Sequence, residues 1–156
     1  MEIRTFLDSD IRQIVSLFYE TVHSINKRDY SHAQLHAWAP KDEETLKLIT
    51  WNDSLRNNIT YVAEINGTIV GFADMTHHGY LDRLYVHKNA QRQGIASALV
   101  NTLEHEARKL GLIEMVTDAS ITAKPFFERR GYHIVKSQIM ERRNVTLANF
   151  KMIKNI

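Results

Sequence analysis

Apolar residues recur along this chain in two periods, and the switches between them predict its elements. Glu2 to Phe6 reads as a short strand. Ile11, Ile14, Val15, Phe18, Val22 and Ile25 then follow at intervals of three and four, the spacing of one buried helical face, with Asp8 or Ser9 placed to cap it. Helical spacing resumes from Ser31 to Leu55. It is interrupted at Ala39-Pro40, because proline disfavours helical geometry in the residue before it, so two short helices are expected. Ile59 to Ile65 and Thr68 to Met75 are rich in β-branched and aromatic residues and flank Asn66-Gly67, the dipeptide best suited to a type I′ hairpin.

Leu81 to Val86 is a further apolar strand, followed by a polar segment that ends in Gln91-Arg92-Gln93-Gly94. Ile95, Leu99, Val100, Leu103, Ala107 and Leu110 form a second helical stripe, stopped by Gly111. Ile113 to Thr117 is the next strand, so this strand-helix-strand unit should close as a parallel crossover. Thr122 to Arg130 reads as a short helix, and Tyr132 to Met140 and Val145 to Met152 as two strands around Arg142-Arg143-Asn144. The sum is an α/β (α+β) chain with a mixed sheet of about seven strands and about four helices.

Composition narrows the possibilities further. The 156 residues are 44% hydrophobic and 24% charged, which suits one globular domain over residues 1–156 and not a disordered chain. Zero cysteines exclude disulfide scaffolds, Cys-ligated zinc and every thiol nucleophile. A net charge of +2 supplies no overall field to announce a nucleic-acid or membrane partner. No apolar run approaches the roughly 18 residues that span a bilayer, and the charged stretch Met1 to Asp8 is unlike a leader, so the cytoplasm is the default expectation.

The most informative segment runs from Leu81 to Leu110. A strand entering a glycine loop at a helix N-terminus presents unpaired backbone N–H groups, and such an end binds anions. Gly94 permits close approach to the backbone, Ala96 keeps the first turn uncrowded, and Gln91, Arg92 and Gln93 offer donors and one positive charge. The loop has neither the Gly-Lys-Ser/Thr ending of a P-loop nor a triple-glycine dinucleotide fingerprint. Its plain structural alternative is that Gly94 merely starts a helix.

Gln91-x-x-Gly94-x-Ala96, entered from Leu84-Tyr85-Val86, resembles the acyl-CoA pyrophosphate loop of the GNAT superfamily of N-acyltransferases. Downstream, Ala123-x-x-Phe126-Phe127-Glu128-x-x-Gly131-Tyr132 is similar to the second block of that superfamily. The resemblance implies a largely antiparallel sheet splayed at a central parallel pair, with acetyl-CoA as co-substrate in the gap. It places pantetheine along Leu84, Tyr85 and Val86, and pyrophosphate on the loop from Gln91 through Arg92, Gln93, Gly94, Ile95 and Ala96 to Ser97. Ser120 stands where the superfamily often has Asn, and Phe127 where many members carry a tyrosine that protonates the departing thiolate. Phenylalanine has no proton to give, which leaves water, Tyr80, Tyr132 or no enzyme acid at all.

An amine attacking a thioester must lose a proton, so a base is needed near the acceptor. Asp82, on the strand leading to the cofactor loop and four residues before Val86, is the first candidate, with an ion pair as its bland alternative; Asp118 is the second. Tyr30, His36 and Trp38, with His32 and Trp51 nearby, concentrate aromatic and imidazole groups that suit an acceptor pocket. Packing is the competing explanation for Trp38. His32-x-x-x-His36 and His77-His78 have no third ligand in sight, and no metal is expected.

The expected function is direct transfer of acetyl from acetyl-CoA to an amine, of a small molecule or else a peptide, by a monomer or homodimer with no nucleic-acid or membrane partner. The absence of cysteine excludes an acetyl-cysteine intermediate. Phe127 sustains a second reading, a non-catalytic acyl-CoA-binding sensor.

Overall fold

The computed structural model describes residues 1–156. Strand β1 (Glu2–Thr5) leads into helix α1 (Ile11–Ser24), followed by α2 (His32–Trp38) and α3 (Glu44–Asn57). The hairpin β2 (Ile59–Ile65) and β3 (Thr68–Met75) comes next, then β4 (Tyr80–Val86), α4 (Ile95–Lys109), β5 (Glu114–Ser120), α5 (Lys124–Arg129), β6 (His133–Arg142) and β7 (Val145–Asn155). The seven strands form one sheet in the order β1-β2-β3-β4-β5-β7-β6, antiparallel throughout except for β4 with β5.

Local chemistry accounts for most boundaries. Asn66 and Gly67 both take positive φ, 50° and 79°, as a type I′ turn requires. Arg143 and Asn144 do the same at 50° and 62°, so the last hairpin turns on two residues that carry no glycine. Helix α2 ends at Trp38, immediately before the residue that Pro40 restricts. At the first helix the sequence expectation needs correction. Neither Asp8 nor Ser9 caps it; Asp8–Asp10 make a tight turn, and the Asp10 carboxylate accepts the Leu7 N–H at 2.8 Å while pairing with Arg4 at 2.9 Å.

The sheet has a core on each face. Helix α4 lays Ile95, Leu99, Val100 and Leu103 against Ala63, Ala73, Met75, Leu81 and Met115. Helix α1 lays Ile14, Val15, Phe18 and Val22 against Val62 and Phe72 on the other face, with Leu55 of α3. Gly71 brings α4 close: a Cβ there would stand 3.0 Å from Ile95 Cγ2, 3.2 Å from Leu99 Cδ1 and 3.2 Å from the Tyr85 carbonyl oxygen.

Two features of β4 set up the site. Its register with β3 shifts between Asp74 and Met75, so that Met75 faces Leu81 and Asp74 faces Arg83; Asp82 is the extra residue of a β-bulge. Asp82 and Val86, four residues apart, both line the same cleft. Pairing with β5 is confined to Tyr80↔Val116 and Leu81↔Thr117, closed by the Thr117 hydroxyl donating to the Leu81 carbonyl at 2.9 Å. Beyond it the two strands part.

Gly71→Val is expected to destabilise the fold by about 1–3 kcal/mol, because the branched side chain must displace both α4 contacts; urea unfolding measures the loss.

Candidate active site

The gap between β4 and β5 opens into a cleft of about 840 Å³ walled by the start of α4 and the end of α1. Its walls include Leu84, Tyr85 and Val86 of β4, the loop residues Gln91, Arg92, Gly94, Ile95, Ala96 and Ser97, and Ser120 and Phe127 across the gap. These are the residues that the glycine loop and its resemblance assigned to the cofactor, with one exception. Gln93 is exposed but does not line the cleft.

The chemistry of the loop is main-chain chemistry. Gly94 takes φ +78°, the left-handed conformation, as the residue before α4, and a Cβ there would meet nothing within 4 Å. None of the backbone N–H groups from Gln91 to Ser97 finds an acceptor within the chain; the first satisfied amide is that of Ala98, on the Gly94 carbonyl at 3.0 Å. Such a row of free donors at a helix N-terminus fits a pyrophosphate. Gln91 plays a different part from the one expected: its Nε2 donates to the Val86 carbonyl at 2.6 Å and so braces the loop against β4. Past the bulge, the β4 edge facing the gap has no strand partner, which leaves it available to an amide-bearing ligand.

Cations surround this cleft. Arg28, Lys88, Arg92 and Arg129 all line it, and only Arg28 has a carboxylate neighbour, Asp29 at 3.4 Å. Sequence reading singled out Arg92 alone, because nothing in the spacing ties Arg28 or Arg129 to the loop. The end of α1 also contributes, with Thr21, Ser24, Ile25 and Asn26 on the wall.

A second cleft of about 340 Å³ lies beside the first, lined by Phe18, Trp51, Lys47, Arg83 and Arg142 among others. The two clefts share Trp38, Asp82, Tyr85, Asp118 and Ser120, so they meet where the strands part. At this junction Asp118 has both oxygens engaged, with Tyr80 Oη donating at 2.8 Å and Gln138 Nε2 at 2.8 Å. Asp82 is freer: its side chain is 38% exposed and its only charged neighbour is Arg83, at 3.7 Å. The Ser120 Oγ accepts the Ala123 N–H at 3.0 Å, which leaves its own proton uncommitted.

The aromatic residues separate into walls and fasteners. Trp38 packs edge-on against Tyr30 at 5.3 Å and also faces both clefts. Tyr30 lines the second cleft, but its hydroxyl is spent on structure, donating to the Ala148 carbonyl at 2.7 Å and accepting the Ile121 N–H at 2.9 Å. His36 lines neither cleft and faces solvent, as does His32, since the inner face of α2 is taken by Leu35 and Trp38. His77 bonds to the Asn57 carbonyl at 3.0 Å. Tyr132 is unavailable as an acid: its buried hydroxyl donates to Glu104 at 2.9 Å beneath α4. Phe127, 2% exposed, is fixed between Phe126 and Tyr132. Burial raises the phenols of Tyr80 and Tyr85 above their usual range, the former also through Asp118, so both stay protonated at neutral pH.

Residues 26–154 match the acetyltransferase (GNAT) domain family. The chain belongs to the GNAT acetyltransferases. It is 38% identical over 152 residues, 97% of this chain and 94% of the relative, to an uncharacterized N-acetyltransferase of Escherichia coli (strain K12), YafP. Among solved structures, a GCN5-related N-acetyltransferase from Rhodopseudomonas palustris superimposes with a TM-score of 0.92 at 29% identity, covering 99% of this chain and 95% of that one. The PaiA N-acetyltransferase of Thermoplasma acidophilum, solved with coenzyme A, shares the fold at a TM-score of 0.78 and 16% identity, covering 99% of this chain and 98% of that one. Membership makes this GNAT protein an acyl-CoA-dependent N-acetyltransferase, and the free amides of the loop suit the phosphates of such a co-substrate. No helix is long and apolar enough to cross a membrane.

Beneath the second cleft, Asp74 is fully buried and pairs with Arg83 and with Asn58 Nδ2 at 2.9 Å, while its Oδ1 has no partner. Desolvation outweighs these partners and raises its pKa to about 6. A carboxyl group with a raised folded-state pKa stabilises the fold most while protonated, so its contribution falls as pH rises from about 4 to about 6. Relative to Asp74→Asn, the wild type should lose up to about 3 kcal/mol across that window, followed by unfolding at a series of pH values.

Proposed function

We propose that this GNAT protein is a single N-acetyltransferase domain that moves acetyl directly from acetyl-CoA to the amine of a small molecule. The observation that carries the reading is the meeting of a cofactor cleft, floored by unpaired loop amides, with a second cleft at a carboxylate that lacks a close partner. Bound acetyl-CoA supplies an acetyl group activated as a thioester. The chain then has three tasks: to hold the two substrates together, to take a proton from the amine, and to tolerate the departing thiolate.

Holding falls to the Gln91–Ser97 amides with Arg28, Lys88, Arg92 and Arg129 on the phosphates, and to the open edge of β4 on the pantetheine arm. Asp82 accepts the proton, directly or through one water, as the amine nitrogen bonds to the acetyl carbon and the carbon–sulfur bond breaks. Asp118, with one oxygen held by Tyr80 and the other by Gln138, serves to fix the far wall. The thiolate departs without a phenol from position 127. Thiols ionise near pH 8.5, so a thiolate leaves far more readily than an alkoxide, and the Ser120 and Tyr85 hydroxyls are the protic groups shared by both clefts. The narrow second cleft favours a small acceptor over an extended peptide.

Asp82→Asn is expected to lower kcat by about a hundredfold at neutral pH while leaving the acetyl-CoA dissociation constant unchanged. Steady-state kinetics and calorimetry separate the two quantities, and unaltered turnover would remove Asp82 from the mechanism. Gly94→Val should do the reverse. A β-branched residue at φ +78° strains the loop by about 1–2 kcal/mol, so acetyl-CoA affinity should fall about tenfold and the cofactor-induced rise in Tm should shrink.

A further inference from the structure

The second cleft has a charge pattern that the acetyl-transfer reading leaves unused. Its lining includes three cations, Lys47, Arg83 and Arg142, and two carboxylates, Asp82 and Asp118. Arg83 is already committed: it pairs with buried Asp74, donates to Ser54 Oγ at 2.7 Å and stacks 4.7 Å from the Trp51 ring centroid. Lys47 and Arg142 form no salt bridge. Lys47 Nζ sits against aromatic faces, 5.2 Å from the Trp51 centroid and 5.6 Å from that of Phe18.

The carboxylates within reach on this side are engaged elsewhere. Glu43 and Asp42 both accept from Arg143, at 2.7 Å and 3.0 Å. Burial lowers the Lys47 pKa, and the neighbouring Arg83, Arg142 and Arg143 push in the same direction, against Glu43. A half-buried ammonium without a counter-ion, in a field of other cations, is a site that an anion would relieve.

The charges are also segregated. Asp82 and Asp118 belong to both clefts and therefore lie at the junction, whereas Lys47 and Arg142 line the second cleft alone. An acceptor entering with its amine toward the junction would carry its other end between Lys47 and Arg142. We infer that the acceptor is a primary amine bearing an anionic group, carboxylate or phosphate, with the amine at Asp82 and the anion held by Lys47 and Arg142. The inference rests on the acetyl-transfer reading for the direction of the amine, and it disfavours polyamines, whose second charge would meet those two cations.

Both tryptophans of the chain, Trp38 and Trp51, line this cleft, so intrinsic fluorescence reports its occupancy directly. The test titrates the CoA-bound protein with matched amines: L-phenylalanine against L-phenylalaninamide, L-methionine against L-methioninamide, O-phosphoethanolamine against ethanolamine, and spermidine alone. At least one anionic member should bind about tenfold or more tightly than its partner without the anionic group, and Lys47→Gln with Arg142→Gln should cut that preference to within about threefold. Whether the carboxylate or the phosphate pair shows the effect identifies the anion.

The inference is overturned if no anionic member is preferred, if spermidine binds best, or if the preference survives the double variant. A retained CoA-induced rise in Tm shows that the variants fold. Acetyl transfer from acetyl-CoA is assayed on the same panel. Preferential binding of an anionic amine that is never acetylated would sink the catalytic reading and leave only the anion site at Lys47 and Arg142 standing, whereas acetylation of spermidine or the amines without an anionic group alone would overturn the inference and leave the catalytic reading standing.

Discussion

Pairing between β4 and β5 stops after Leu81↔Thr117, and the rest of the site depends on that interruption. A sheet normally satisfies every interior backbone group by continuing its ladder. Here the Asp82 bulge alters the course of β4, while β5 pairs along its whole length with β7 on its other side. The strands part, the edge of β4 is left without a strand partner, with its Val86 carbonyl taken by the Gln91 and Thr21 side chains, and the first amides of α4 stay free. Those unpaired groups are tolerable because they face a cleft, where water or a ligand can supply the missing bonds.

The same parting creates the meeting point of the two clefts. Two cores, one under α4 and one under α1 and α3, hold the sheet from opposite faces, so the opening between β4 and β5 connects the two sides of a rigid layer. The larger cleft presents free amides and four cations, of which only Arg28 has a carboxylate neighbour. The α1 side is aromatic and carries charges of both signs. Asp82 stands in the opening itself, because a bulge residue is excused from the alternation that would commit its side chain to one face. Tyr30 and Trp38 fasten the far wall by linking α2 to the β5 and β7 ends. Tyr30 lines the smaller cleft and Trp38 lines both.

Much of this was legible in the residues. The Asn66-Gly67 hairpin, the break at Pro40, the stripe of α4 and the crossover to β5 all follow from local rules that the structure obeys. The geometry of the glycine loop was legible for the same reason: a row of free main-chain amides needs only a strand, a glycine and a helix start, all contiguous. What escaped was non-contiguous. Arg28, Lys88 and Arg129 join the phosphate side from three elements, and Lys47, Arg83 and Arg142 join the second cleft from three more. His36 was misplaced because composition locates a cluster of aromatic and imidazole groups along the chain but not which face of a seven-residue helix they occupy.

The sequence by itself determined the periodicities, the turns, the family and the glycine loop, since each is written in residues within a few positions of one another. Only the tertiary structure decided which carboxylate is free. The sequence ranked Asp82 ahead of Asp118 by its place on the strand entering the loop, but it showed the hydrogen-bond partners of neither. Tyr80 and Gln138, from two other strands, each engage one oxygen of Asp118, and no comparable partners reach Asp82. Hydrogen-bond saturation depends on groups far apart in the chain, and no local pattern records it.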